Sequence, residues 1–151
     1  MYVVADASVF IWGKRPEGDL VTVPAIEAEL KDIKSKCLLQ IFEARVESPT
    51  LQALEDAKRA AEETGDIAVL SSADLGILAK ALEYEAALAT DDYAVQNVAL
   101  HLGLRIKPIG QPKIKRELKR VQKCHGCGKR FEGEACPDCG TLARSRKRCI
   151  R

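Results

Sequence analysis

Residues 2–8 read YVVADAS, an apolar, β-rich run (Tyr2–Ala5) that stops at a carboxylate, Asp6. So short and continuous a run predicts a strand buried on both faces, the kind found in parallel sheets covered by helices. A second run, Ala86–Ala89, ends the same way, in Thr90-Asp91-Asp92. Around these two the pattern alternates. Lys14–Asp19, with Pro16 and Gly18, is a loop and Leu20–Val23 a short strand. Pro24 sits where a helix begins, its missing N–H no loss there, and Ile26, Leu30, Ile33 and Leu38 space out one helical face ending near Leu39–Phe42. Ala44–Glu47 is a weak strand. Ser48-Pro49 predicts the cap and first residue of a helix lined by Leu51, Leu54, Ala57 and Ala61 and stopped by Gly65. Ser71 or Ser72 caps the next, whose inner side is Leu75, Leu78, Ala79 and Leu82. Val95–Leu102, closed by Gly103, is the last helix and Leu104–Ile109 the last strand. Strands alternating with helices predict an α/β fold, and Pro108, Gly110 and Pro112 bound the domain at residue 110.

Residues 111–123 form a basic linker with Lys113, Lys115, Arg116, Lys119, Arg120 and Lys123 against one acid, Glu117. Ile114, Leu118 and Val121 stand at helical spacing, so a short helix is expected. Next comes Cys124-x2-Cys127-x8-Cys136-x2-Cys139. Each pair sits on a turn with a glycine after its second cysteine, Gly128 or Gly140, so four thiolates can converge on one tetrahedral Zn²⁺. The core of this ribbon is 124–140, the module about 121–148, and 141–151 is a basic tail. Phe131 is expected to plug the small module from beneath, with base stacking as its other reading. Disulfides are the competing account of the cysteines, but MYVVADASVF lacks the basic region and cleavage site of a secreted chain. Cys37 reads as a small buried residue and Cys149 as a free thiol.

The formal charge of +2 conceals a division: residues 1–110 carry 11 Lys/Arg against 18 Asp/Glu, residues 111–151 carry 13 against 4. A basic arm on an acidic body points to a polyanionic partner that the body does not attract by charge. Phosphate contacts are expected from the linker cations and from Lys129, Arg130, Arg144, Arg146, Lys147 and Arg148. No stretch is long enough to span a bilayer, so no membrane partner is expected.

In parallel α/β sheets the ligand site lies beyond the carboxyl ends of the strands. Asp6 and Asp91-Asp92 fall there, and Glu27 and Asp74 fall in first helical turns at the same edge. Each has a structural account taken singly, as a turn residue, a cap or a partner of the helix dipole. Together, converging carboxylates repel, which a hard divalent cation relieves; oxygen ligands suit Mg²⁺ or Mn²⁺. Such an ion can activate a water and stabilise charge on a phosphate.

The segments VVADASVF, VPAIEAEL, LSSADLGILAKA and LATDDYAVQNVA, with acids in this order, resemble the PIN-domain nucleases. The resemblance implies one or two catalytic cations held by Asp6, Glu27, Asp74 and Asp92, the last favoured by the Thr-x-Asp pattern, with the adjacent Asp91 as an additional catalytic ligand or a group that supports one. Ser8 and Thr90 would be supporting hydroxyls. The order of PIN domain, basic linker and ribbon resembles the Nin-one-binding protein family in its compact archaeal form. That resemblance implies a cytoplasmic endoribonuclease trimming the 3′ end of precursor small-subunit rRNA on the nascent subunit, alongside assembly-factor partners, with Mn²⁺ or Mg²⁺ in the PIN domain and structural Zn²⁺ in the ribbon. Its competitors are a toxin-type PIN ribonuclease, which needs no ribbon, a non-catalytic RNA-binding assembly factor, and a zinc-ribbon transcription component, which leaves the ordered acids unexplained.

Overall fold

A computed structural model of the chain describes residues 1–142 and 148–150, with strand residues 119–122 and 148–150 described as backbone only. Five strands form one parallel sheet: β1 (Tyr2–Ala5), β2 (Asp19–Thr22), β3 (Arg45–Val46), β4 (Ala87–Ala89) and β5 (Ile106–Lys107), in the order β3-β2-β1-β4-β5. Val3, Val4 and Ala5 are fully buried, as are Leu88 and Ala89, so the centre of the sheet is covered on both faces. This is the α/β architecture that the two apolar runs predict.

Helices flank the sheet: α1 (Ala7–Trp12), α2 (Pro24–Glu29), α3 (Ile33–Ile41), α4 (Leu51–Thr64), α5 (Ser72–Glu83) and α6 (Tyr93–His101). Helix α1 packs with α2 and α3, while α4, α5 and α6 pack on one another, with α5 against β1 and β4. From β1 the chain winds outward to β2 and β3, then returns to β4 and β5 on the other side. The order therefore reverses between β1 and β4, where the carboxyl ends part to leave a crevice. Asp6 follows β1 and Thr90-Asp91-Asp92 follows β4.

Four expectations change. The helix α1 was not foreseen; Asp6 closes the strand and also caps this helix, which ends at Gly13 in a left-handed conformation. The helix expected from Pro24 to about Phe42 is two, because Leu30 leaves helical geometry and Asp32 caps α3 by accepting from the Ser35 N–H. Thr50, not Ser48, caps α4, which leaves Leu51 exposed while Ala57 and Ala61 are buried. Cys37 is exposed rather than buried, since it falls on the outer side of α3.

The linker contains no helix. Its last part is β6 (Lys119–Lys123), which pairs antiparallel with β7 (Arg130–Phe131) and β8 (Arg148–Ile150), so the ribbon sheet spans residues 119 to 150. Residues 113–118 form a strap laid on α6. The buried Gln96 accepts from the Ile114 N–H at 2.9 Å, and buried Asn97 accepts from the Leu118 N–H at 2.6 Å and donates to the Leu118 carbonyl at 2.7 Å. His101 joins Glu117 of the strap at 3.1 Å and Glu63 of α4 at 2.7 Å. Ile114 and Leu118 are half-buried, a spacing that suits an extended strap as well as a helix.

Candidate active site and metal centres

Asp6 is the centre of the crevice. It is 8% exposed, and every interaction on its carboxylate comes from a neighbour in the fold. Its Oδ1 accepts the Ala7 N–H at 2.6 Å; its Oδ2 accepts the Thr90 hydroxyl at 2.7 Å and the Ser8 hydroxyl at 3.2 Å. The Asp92 N–H in turn donates to Thr90 Oγ1 at 3.1 Å, so one chain of hydrogen bonds links the ends of β4 and β1. Burial pushes the Asp6 carboxyl above its ordinary range, against the hydrogen bonds from Thr90 and Ala7, and the Asp74 charge adds to the rise. A carboxylate held in this way is one that a cation would stabilise.

Asp74 lies in the first turn of α5, as expected, and completes a capping box: its N–H donates to Ser71 Oγ while its Oδ2 accepts the Ser71 N–H at 2.7 Å. The sequence left the cap open between Ser71 and Ser72; Ser71 fills it. On α2 the structure differs from expectation. Glu27 is in the first turn, as expected, and both Glu27 and Glu29 are exposed, but it is Glu29 that lies in the field of Asp74 and Asp6; burial, then Asp74, then Asp6 raise its pKa. Two residues apart on a helix means about 200° of rotation, so Glu27 and Glu29 cannot face the same crevice.

The adjacent aspartates divide as well. Asp92 caps α6, accepting the Ala94 N–H at 2.7 Å. Asp91 faces the loop after β5, where its carboxylate accepts the N–H groups of Ile109, Gly110 and Gln111 at 2.8 to 3.3 Å. Those bonds fix the turn after β5. Among the described residues the four cysteines are gathered closely enough to hold a metal ion as they stand, and the carboxylates of the crevice form no such group. The wider setting suits a hard cation that keeps several of its own waters.

In the ribbon the four Sγ atoms of Cys124, Cys127, Cys136 and Cys139 do lie within 4.8 Å, with Cys124 and Cys139 at 3.3 Å and Cys127 and Cys136 at 3.6 Å. The edges of a tetrahedron around an ion with ~2.3 Å bonds to sulfur are about 3.8 Å, so the set fits such a metal site. The Cys127 N–H, with that of Gly126, lowers the Cys124 thiol to about 6, and the Thr141 hydroxyl lowers Cys139. Cys127, despite the Lys129 N–H, is pushed up to about 11 by the sulfurs of Cys136, Cys124 and Cys139. Crowded sulfurs of this kind cannot all be thiolates without a cation among them. Phe131 is buried with Cys124 and Cys136, the plug that the sequence suggests; His125 is exposed and outside the ligand group.

Of the cations named for RNA, Lys113, Lys115, Arg116, Lys123 and Arg130 are exposed, and Lys129 is paired with Asp138. Lys119, Arg120 and Arg148 are placed only as strand residues; Arg144, Arg146 and Lys147 lie outside the described residues.

Residues 3–84 match the PIN domain of ribonuclease. An Endoribonuclease Nob1 of Archaeoglobus fulgidus is 43% identical over 145 residues, covering 93% of this chain and 87% of that protein. The Endoribonuclease Nob1 of Pyrococcus abyssi is 42% identical, over 92% of this chain and 89% of its own. The chain belongs to the Nob1 family of PIN-domain endoribonucleases. A third relative, the 20S-pre-rRNA D-site endonuclease nob1 of Schizosaccharomyces pombe, is 40% identical over 57 residues, 36% of this chain and 15% of that protein. As a member of this family the chain is an endoribonuclease, and its function lies in rRNA processing. PIN nucleases depend on divalent metal, and the cysteine cluster is compatible with a small zinc ribbon. No helix among the described residues is long and apolar enough to cross a membrane.

Proposed function

We propose that this endoribonuclease cuts single-stranded precursor small-subunit rRNA at its 3′ end, on the nascent subunit in the cytoplasm, with Mn²⁺ or Mg²⁺ at Asp6, Glu29, Asp74 and Asp92 and Zn²⁺ at the four cysteines. The reading is carried by one observation: a buried carboxylate at the switch point accepts the Thr90 hydroxyl and lies in the field of Asp74, and Glu29 lies in the field of both. A divalent ion bound there supplies an activated water and charge stabilisation at the phosphate. The rest falls to the chain. Ala7 N–H and the hydroxyls of Thr90 and Ser8 fix the rotamer of Asp6. The capping box fixes Asp74, and the two N–H groups of the first turn of α6 fix Asp92. Asp91 holds the loop beside the crevice. The acidic body repels RNA at long range, so binding falls to the basic arm, and the ribbon presents part of that arm.

The test is cleavage of a labelled RNA spanning the mature 3′ end, with Mn²⁺, by the parent and by Asp6→Asn. A single cut at the mature end, lost in the variant, is expected. Scattered cutting by the parent would remove the rRNA assignment, and equal cutting by a folded Asp6→Asn protein would remove the metal role of Asp6.

A further inference from the structure

Between the edge strand β5 and the strap lies a cleft of about 510 Å³, whose floor includes Leu100 and Ile106 and whose rim carries Arg105, Lys107, Lys113 and Lys115. Two of these cations come from the nuclease domain, an acidic body otherwise, and two from the strap. Side-chain amides inside the fold join the two halves. Gln96 is fully buried, takes the Ile114 N–H, and donates from its other end to the Thr90 carbonyl at 3.0 Å. Asn97 takes the Leu118 N–H and carbonyl. Both amides are therefore satisfied by seating the strap, and undocking it would leave buried polar groups to be resolvated. The cleft is a built feature of the chain: Lys113 and Lys115 are exposed, Arg105 is exposed with its guanidinium on Met1 Sδ at 3.4 Å, and Lys107 is half-buried and donates to the Glu17 carbonyl at 2.9 Å, weak holds that an RNA phosphate can replace.

We propose that this cleft is a second RNA-binding surface, which holds the phosphate backbone of the strand being cut and is assembled by the Gln96-Asn97 latch. It rests on the nuclease reading above. Four cations along one cleft suit the phosphate backbone of a single strand. One loop joins the cleft to the catalytic edge: between Lys107 and Lys113 lies the turn that Asp91, at the carboxyl end of β4, fixes. RNA lying there is bound to the catalytic body at a set distance from Asp6, which the ribbon alone does not provide.

The experiment measures binding of a single-stranded oligonucleotide without Mn²⁺, across a salt series, in the full chain. Arg105→Gln with Lys107→Gln removes two phosphate contacts and is expected to flatten the slope of log K against log salt by about 1.4, at 0.7 per phosphate for single strands. Ile114→Pro with Leu118→Pro removes both latch N–H groups but no charge and no core side chain, and by taking the cleft apart it is expected to flatten the slope by about 2.8, at 0.7 for each of four phosphates. Combining the pairs should flatten it little beyond the larger single effect. An unchanged slope in the arginine-lysine variant would overturn the RNA site; independent, additive losses would overturn the latch. Because binding is read without cleavage, failure here is separate from failure of the metal assignment, which the Asp6→Asn comparison reads.

Discussion

Glu29 and Glu27 pose the sharpest question at the residue scale. Both lie on a two-turn helix, in PAIEAE, and both are acids at the right edge of the sheet. Ile26 and Leu30 are buried and define the inward side. Each glutamate flanks that side, Glu27 after Ile26 and Glu29 before Leu30, so the pattern does not say which flank borders the crevice. The fold does, through the charges of Asp74 and Asp6 near Glu29. Glu29→Gln is therefore expected to lower Mn²⁺-dependent cleavage by at least about 100-fold, while Glu27→Gln stays within a few-fold of the parent. Single-turnover rates at saturating RNA make the comparison, and the reverse order would restore Glu27. Thr90→Val keeps shape but removes the hydroxyl on Asp6, so a loss of about 10- to 100-fold is expected, with RNA affinity unchanged. Asp91→Asn keeps one oxygen for the loop N–H groups, and its cleavage rate is expected to stay near parental; a collapse comparable to Glu29→Gln would give Asp91 a direct role.

At the scale of elements, the central strands were the most legible and the caps were read only in part, since Thr50 rather than Ser48 caps α4. β1 and β4 announced themselves as apolar runs ending in acids, and Asp74 fell in a first turn because Ser71 and Asp74 make a reciprocal cap. The cysteine spacing carried the ribbon. What the pattern concealed were features set by tertiary contact. α1 is a six-residue helix too short to show a period. The strap has helical spacing at Ile114 and Leu118, yet its backbone N–H groups go to Gln96 and Asn97 on α6, side chains that read in sequence as polar residues on an apolar helix. His101 adds a third hold on the strap. Its pKa is raised first by the Glu63 carboxylate and then by Glu117, against some burial. A raised folded pKa contributes stability that is complete below the unfolded value of about 6.5 and is lost as pH rises through the folded value. Strap amides, those of Ile114 and Leu118 above all, are therefore expected to lose hydrogen-exchange protection, after correction for intrinsic rate, above pH 6.5. His101→Gln should flatten that dependence, and a parental profile in the variant would place the linkage elsewhere.

Across the whole molecule, chemistry and capture are separated by charge. Residues 1–110 hold the carboxylates proposed to bind metal and carry an excess of acid, and residues 111–151 carry the excess of base. A single domain doing both would set RNA phosphates against its own catalytic acids; dividing the tasks leaves the crevice acidic until a cation fills it. β6, β7 and β8 pack chiefly on one another, and the apolar support of the ribbon is Phe131 with Cys124 and Cys136. So small a core depends on its metal. Cys136→Ser should therefore lower zinc content and disorder the ribbon while the thermal transition of the nuclease domain persists, since its sheet and the α6 latch lie outside the altered site. RNA affinity is expected to fall by about tenfold or more as phosphate contacts are lost, whereas the single-turnover rate at saturating RNA stays close to parental because Asp6, Glu29, Asp74 and Asp92 are untouched. A KM effect without a kcat effect supports the division. A matching fall in kcat would instead mean that the ribbon shapes the catalytic crevice itself.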